Sequence, residues 1–321
     1  MRFISIILAL VFSASASFSQ VEFWKNVWPN TNFDKTSIDF IEIISGGPGK
    51  DAIPAIDDPK FIGIAAEGRL VDREPVMTVE IDGQAKAYPI RYLMWHEIVN
   101  DTVGGAPVSV TFCPLCNSGI VFDRRVGGQE ITLGVSGFLR NSDMIMYDRQ
   151  TESWWQQFTG EALVGDLMGQ ELTKVPAWME SWGAFKARNP RGLVMDEPDF
   201  RRRYGTNPYR GYDSLNKPFL YNGEMPPHGI EPLMRVVVVE GQAWPLTRFS
   251  AENTVITEAG VEISWTEGKA SALDTGDIRK GRDLGAIRVR DASTGADLPH
   301  DVAFAFAFHA FHPNGVWMLG D

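Results

Sequence analysis

The sequence predicts a β-rich α+β protein, made of two weakly related β halves behind an irregular N-terminal arm. Three observations carry that expectation. Short runs alternate apolar and polar residues, the period of half-buried strands. Asp-Gly and Gly-Gly pairs part these runs at hairpin spacing. A hairpin in the first half also has an echo in the second.

Residues 1–19 read as a secretory signal peptide. Met1-Arg2 supplies the positive start, Phe3 to Phe12 is apolar apart from Ser5, and Ser13 to Ser17 are small. Ala14 and Ala16 fit an A-x-A cleavage site, with Ser17 and Ser19 as a second choice. The rival reading is a membrane anchor, but the run is too short for about 30 Å of hydrocarbon. The mature chain is therefore expected in the periplasm or outside the cell, with no membrane span.

Residues 20–75 form the expected arm, broken by Gly46-Gly47-Pro48-Gly49 and Asp57-Asp58-Pro59. Residues 76–195 form the first half. Val76 to Ile81 alternates, Asp82-Gly83 turns, and Ala85 to Ile90 runs on. Arg91 to Val99 suits a short helix, and 176–192 a longer one. Val108 to Phe112, Gly119 to Asp123, Gln129 to Val135 and Met144 to Tyr147 are strand candidates. Residues 196–232 are rich in Pro, Gly, Asn and Tyr and read as a long loop. Residues 233–321 form the second, cysteine-free half, and 76–321 is expected to be one compact unit.

The echo has three parts. Val79 to Ile90 resembles Val239 to Leu246, Val108 to Phe112 resembles Val261 to Trp265, and Asp143 to Thr151 loosely resembles Asp283 to Thr294. The matches keep their order. The rival explanation is that hairpins around Asp-Gly and Glu-Gly look alike.

A net charge of −11 argues against a nucleic-acid footprint, which is basic, and against docking to anionic lipid. The chain has two cysteines, Cys113 and Cys116, in Cys-Pro-Leu-Cys. In an oxidising compartment they could pair, yet a bridge over so short a loop adds little loop-closure stabilisation. Thiol–disulfide enzymes place the first cysteine at a helix N-terminus, which activates the thiolate. Here Asn117 to Asp123 reads as a turn into a strand. A hairpin tip carrying both sulfurs is instead a metal knuckle, supplying half of a zinc site or most of a copper site.

His96 is the candidate third ligand. His309 and His312 share a helix side, and Met144 and Met146 offer thioethers that would favour copper(I) over zinc. For these four, and for His96 too, packing in the core is the plainer reading. Arg140, Asp143, Asp148 and Arg149 flank Met144 to Met146 and are candidates for orienting a small polar substrate. Surface pairing and turn chemistry are their alternative role. No Walker loop, Rossmann fingerprint, nucleophile elbow or His-Glu-x-x-His is present.

Pro89-Ile-Arg, His96 to Asp101, Thr111-Phe-Cys-Pro-Leu-Cys-Asn-Ser118, Met146 to Thr151 and Trp155-Gln together resemble the bacterial and archaeal family called domain of unknown function 3179. The likeness runs from about residue 65 to the end, and Thr-Phe-Cys-Pro-Leu-Cys is its most specific part. It strengthens a site around His96, Cys113 and Cys116 and implies no particular activity. The leading expectation is an exported metal-binding protein, a redox enzyme with a copper or zinc ion on Cys113, Cys116 and His96. The rivals are a metal-free thiol–disulfide oxidoreductase and a non-catalytic scaffold with a local disulfide. The sequence assigns no protein partner.

Overall fold

The computed structural model describes residues 20–320. The signal-peptide reading of 1–19 lies outside them. Helix accounts for only 14% of the described residues, and the chain is a five-bladed β-propeller. This corrects the α+β reading and its two halves.

Five sheets of three to five strands make the blades. Sheet I runs Ile44–Ser45, Leu133–Arg140, Asp143–Asp148, Trp154–Gln156, Ala162–Val164. Sheet II runs Lys174–Val175, Ser118–Asp123, Ala106–Cys113, Ile98–Val103. Sheet III runs Ala177–Ser181, Pro75–Ile81, Gln84–Pro89, Leu193–Met195, Phe61–Gly63. Sheet IV runs Asp301–Phe304, Arg235–Val239, Gln242–Pro245, Val316–Trp317. Sheet V holds Val255–Glu258, Val261–Thr266 and Ala286–Asp291.

The echo in the sequence is a likeness of blades. In sheet III the helix Trp182–Arg188 links Ala177–Ser181 to Leu193–Met195, which lies parallel to Gln84–Pro89. In sheet IV the helix Ala305–Phe311 links Asp301–Phe304 to Val316–Trp317, parallel to Gln242–Pro245. The second match likewise falls on the middle strands of the sheet II and sheet V hairpins. The third pairs a sheet I strand with a sheet V strand and has no such wiring. Likeness between blades does not divide the chain into halves, because sheet I is inserted between two strands of sheet II.

Helices are short for a local reason. Alternation at 177–181 wins, so only Trp182–Arg188 coils, capped where the Ser181 hydroxyl accepts from Ala184 N–H. The helix Ile90–His96 stops at Glu97, whose φ is +59°. Among the described residues, no helix is long and apolar enough to cross a membrane.

The N-terminal arm is not loose. Trp24, Trp28 and Phe33 pack with Ile145, Tyr147, Trp154 and Val164 of sheet I in one buried cluster. The Trp28 ring meets Tyr147 at 4.9 Å and Trp154 at 5.4 Å, both edge to face. Lys50 sits 4.4 Å above the Trp28 ring and pairs with Glu152. Further along the arm, Ile44–Ser45 and Phe61–Gly63 complete the outer edges of sheets I and III. Trp28→Ala is expected to cost about 3–5 kcal/mol, read as a lowered midpoint in denaturant unfolding.

Candidate functional site

Two hairpin tips meet at the candidate site. In sheet II, Cys113 closes the ladder opposite Ser118, and Pro114 to Asn117 make the turn. Asn117 takes φ +53°, a left-handed backbone that Asn tolerates better than most residues. Its side chain then ties the turn to sheet IV, donating to Val302 O at 2.6 Å and accepting from Arg235 at 3.2 Å. The Cys116 carbonyl accepts from Phe304 N–H at 2.9 Å.

In sheet I, Asn141 and Ser142 are the two-residue loop between Arg140 and Asp143, with φ +50° and +65°. Positive φ at both central positions is the turn that matches strand twist. It aims the Ser142 carbonyl at the sulfurs, 3.6 Å from Cys116 Sγ and 3.9 Å from Cys113 Sγ.

Asp143 follows that turn. One carboxylate oxygen, Oδ2, accepts from Gln156 Nε2 at 2.7 Å and from Phe158 N–H at 2.9 Å. The other, Oδ1, is buried and takes no N–H or O–H donor. The two thiols lie beside this carboxyl. Ligating atoms of Cys113, Cys116 and Asp143 lie within 4.8 Å of one another, and all three residues are buried. The sulfurs are not bonded to each other.

Beside them lies a cavity of about 70 Å³, whose walls include Cys113, Glu97, Met144 and Tyr209. Glu97 reaches it from the end of the helix Ile90–His96. Its backbone is pinned there by a bond to Leu93 O and by Phe112 N–H. A glutamate held at φ +59° carries strain of roughly 1–3 kcal/mol, characteristic of functional positions. Tyr209 arrives from the segment 196–232. Nearby, the Tyr212 hydroxyl donates to Leu115 O at 3.0 Å and accepts from Phe219 N–H. The Ser142 hydroxyl donates to Phe219 O. The segment thus straps the cysteine hairpin down.

Burial pushes the Asp143 carboxyl up to about 7, against the pull of Gln156 and Phe158. Burial, helped by the charge of Asp143, pushes Glu97 up to about 8. Burial also raises both thiols, Cys116 well above its ordinary range. Four acids are thus packed together, and among the described residues no lysine or arginine forms an ion pair with them. Such a group is neutral only when protonated or when a cation enters.

The sequence-derived candidates separate. Cys113, Cys116 and Asp143 converge, so that Asp143, a candidate for orienting substrate, lies beside the sulfurs. His96 stands apart from them. Its Nδ1 is 2.7 Å from Pro54 O and its Nε2 is 2.6 Å from Tyr204 Oη, so both ring nitrogens are already taken. Asp148 accepts from Thr151 N–H, the Thr151 hydroxyl and Trp155 Nε1, a turn brace with no free face for substrate. Arg149 pairs with Asp57 and Asp51 outside the cluster. Arg140 pairs with Glu42 and touches the site only through Gln156, at 3.5 Å. Met144 lines the cavity, while Met146 is core. His312 lies on the wall of a different cleft. Sequence reasoning did not single out Glu97 or Tyr209. For Glu97 the signal was an acidic residue inside an apolar stretch; nothing local marks Tyr209.

A propeller with thiols and carboxyls gathered at two hairpin tips defines the class of protein. The chain belongs to the family described as Protein of unknown function (DUF3179), which matches residues 50–315 and so includes every residue of the cluster. No curated protein and no solved structure matches it.

The raised acids make stability depend on pH. Asp143 and Glu97 rise from 3.8 and 4.5 to about 7 and about 8, so the fold holds extra protons between those limits. Their contribution is full below about pH 4 and is lost as pH climbs through about 7 to 8. The melting temperature in chelator-containing buffer is therefore expected to fall across that window. Asp143→Asn should flatten its lower part, as thermal scans at stepped pH would show.

Proposed function

We propose that the chain is an exported metal-binding protein whose ion is held by Cys113, Cys116 and Asp143. One observation carries this reading. Two thiols and a carboxyl converge in a buried site, and the inward Asp143 oxygen lacks any N–H or O–H donor. A divalent cation would replace the protons that otherwise keep these groups neutral. Gln156 and Phe158 N–H hold the Asp143 carboxylate in place, the support a metal ligand normally has.

Two thiolates with a hard carboxylate favour zinc, while copper remains compatible with the sulfurs. Bound copper would supply electron transfer, and bound zinc would polarise water or a carbonyl. Three protein ligands leave a position for water or substrate. The cavity beside Cys113 has room for such a small species, and Glu97 on its wall is placed to carry a proton. The thiol–disulfide alternative fits less well, because burial makes these thiols poor thiolates and a strand rather than a helix follows Cys116. The apolar run at 3–12 supports export.

Protein purified from its own compartment is expected to carry about one equivalent of zinc or copper by plasma mass spectrometry. Cys113→Ser and Asp143→Asn should lose it, and His96→Gln should keep it. Gln156→Ala should weaken metal affinity about 10–100-fold in a chelator competition. Wild-type protein that takes up neither metal after reloading would end this reading.

A further inference from the structure

A cleft lies between sheets II and IV, away from the small cavity beside Cys113. It encloses about 670 Å³, within the range of small-molecule sites. One wall is apolar, with Ile120, Phe158 and Val238. Two nitrogen groups converge on it, Lys174 and His312.

Lys174 is half-buried. Its ammonium donates once, to Phe158 O at 3.0 Å. Its other N–H groups have no partner within the protein among the described residues. Asp301, Glu171 and Asp143 influence it through space, without an ion pair. A partly desolvated cation with unused donors, on the wall of a cleft, is built to meet an anion. The His312 ring packs 5.4 Å from Phe308 and 6.0 Å from Phe158 and makes no hydrogen bond among the described residues. Burial, with the charge of Lys174, lowers its pKa, so at neutral pH it meets an anion as a neutral N–H donor. His300 on the same wall is already turned to the carbonyls of Leu298 and Ile287. Exposed Glu171 and Glu240 also line the cleft and disfavour ligands of high negative charge.

We propose that this cleft binds a small organic monocarboxylate with an apolar body. The carboxylate takes the free donors of Lys174 and His312, and the body lies against Phe158, Ile120 and Val238. The proposal stands independently of the metal reading.

The test is isothermal titration of the full mature chain with octanoate, benzoate, the two corresponding amides and inorganic phosphate. At least one carboxylate should bind, and its uncharged amide should bind at least about tenfold more weakly. Lys174→Met should weaken carboxylate binding by a similar factor, with melting temperature and metal content as in wild type, and Lys174→Arg should restore it. Failure of the wild type to bind either carboxylate overturns the proposal. So does an amide or phosphate that binds as tightly, or undiminished binding to a folded Lys174→Met. Should Lys174→Met not fold, the comparison of acid with amide on the wild-type chain decides. Metal content, measured on the same samples, separates this outcome from the fate of the Cys113–Cys116–Asp143 centre.

Discussion

Packing four acids into one buried space is a constraint most folds avoid, and here two hairpin tips enforce it. A buried carboxyl or thiol loses its hydration and regains stability only through a proton, a donor or a cation. Asp143 receives two donors on one oxygen and leaves the other, also buried, without any. Much of the surrounding architecture holds this arrangement in register. Asn117 ties the cysteine turn to sheet IV, the Asn141-Ser142 turn aims a carbonyl at both sulfurs, and the 196–232 strap covers the tip.

Part of the strained backbone lies at this site: among the described residues, four of the eleven non-glycine residues with positive φ, Glu97, Asn117, Asn141 and Ser142, lie at or beside the cluster. Two are asparagines, which bear this conformation at modest cost, and Ser142 shares a turn that demands it. Glu97 has no such excuse. Its strain is balanced by a helix on one side and by the central strand of sheet II on the other, through bonds to Leu93 and Phe112. That rigidity keeps its carboxyl on the cavity wall.

Strands were legible in the sequence because alternation and Asp-Gly turns report directly on backbone shape. The blades were not, because alternation does not say which strand lies beside which. Leu193–Met195 joins Gln84–Pro89 across a hundred residues of intervening chain, and no local pattern announces that pairing. The repeated hairpin was real as a pattern but belonged to individual blades. At the site, the cysteine pair and Asp143 were visible because their chemistry is rare or their position distinctive. Asp148 and Arg149 looked equivalent to Asp143, and only the direction of each side chain separates them: one braces a turn, another pairs outside the cluster. His96 stood out in the sequence as a ligand type, and in the structure both its ring nitrogens are engaged while its neighbour Glu97 lines the cavity.

The arm strand Ile44–Ser45 has a consequence for the chain's behaviour in a crowded compartment. It lies along the outer side of Leu133–Arg140, covering backbone groups that would otherwise be unpaired. An open edge on a strand carrying Phe138 and Leu139 is a template for pairing with another molecule. The aromatic cluster that fastens the arm therefore also works as a guard against self-association. Any cut between that cluster and sheet I would turn this edge into a seed for aggregates.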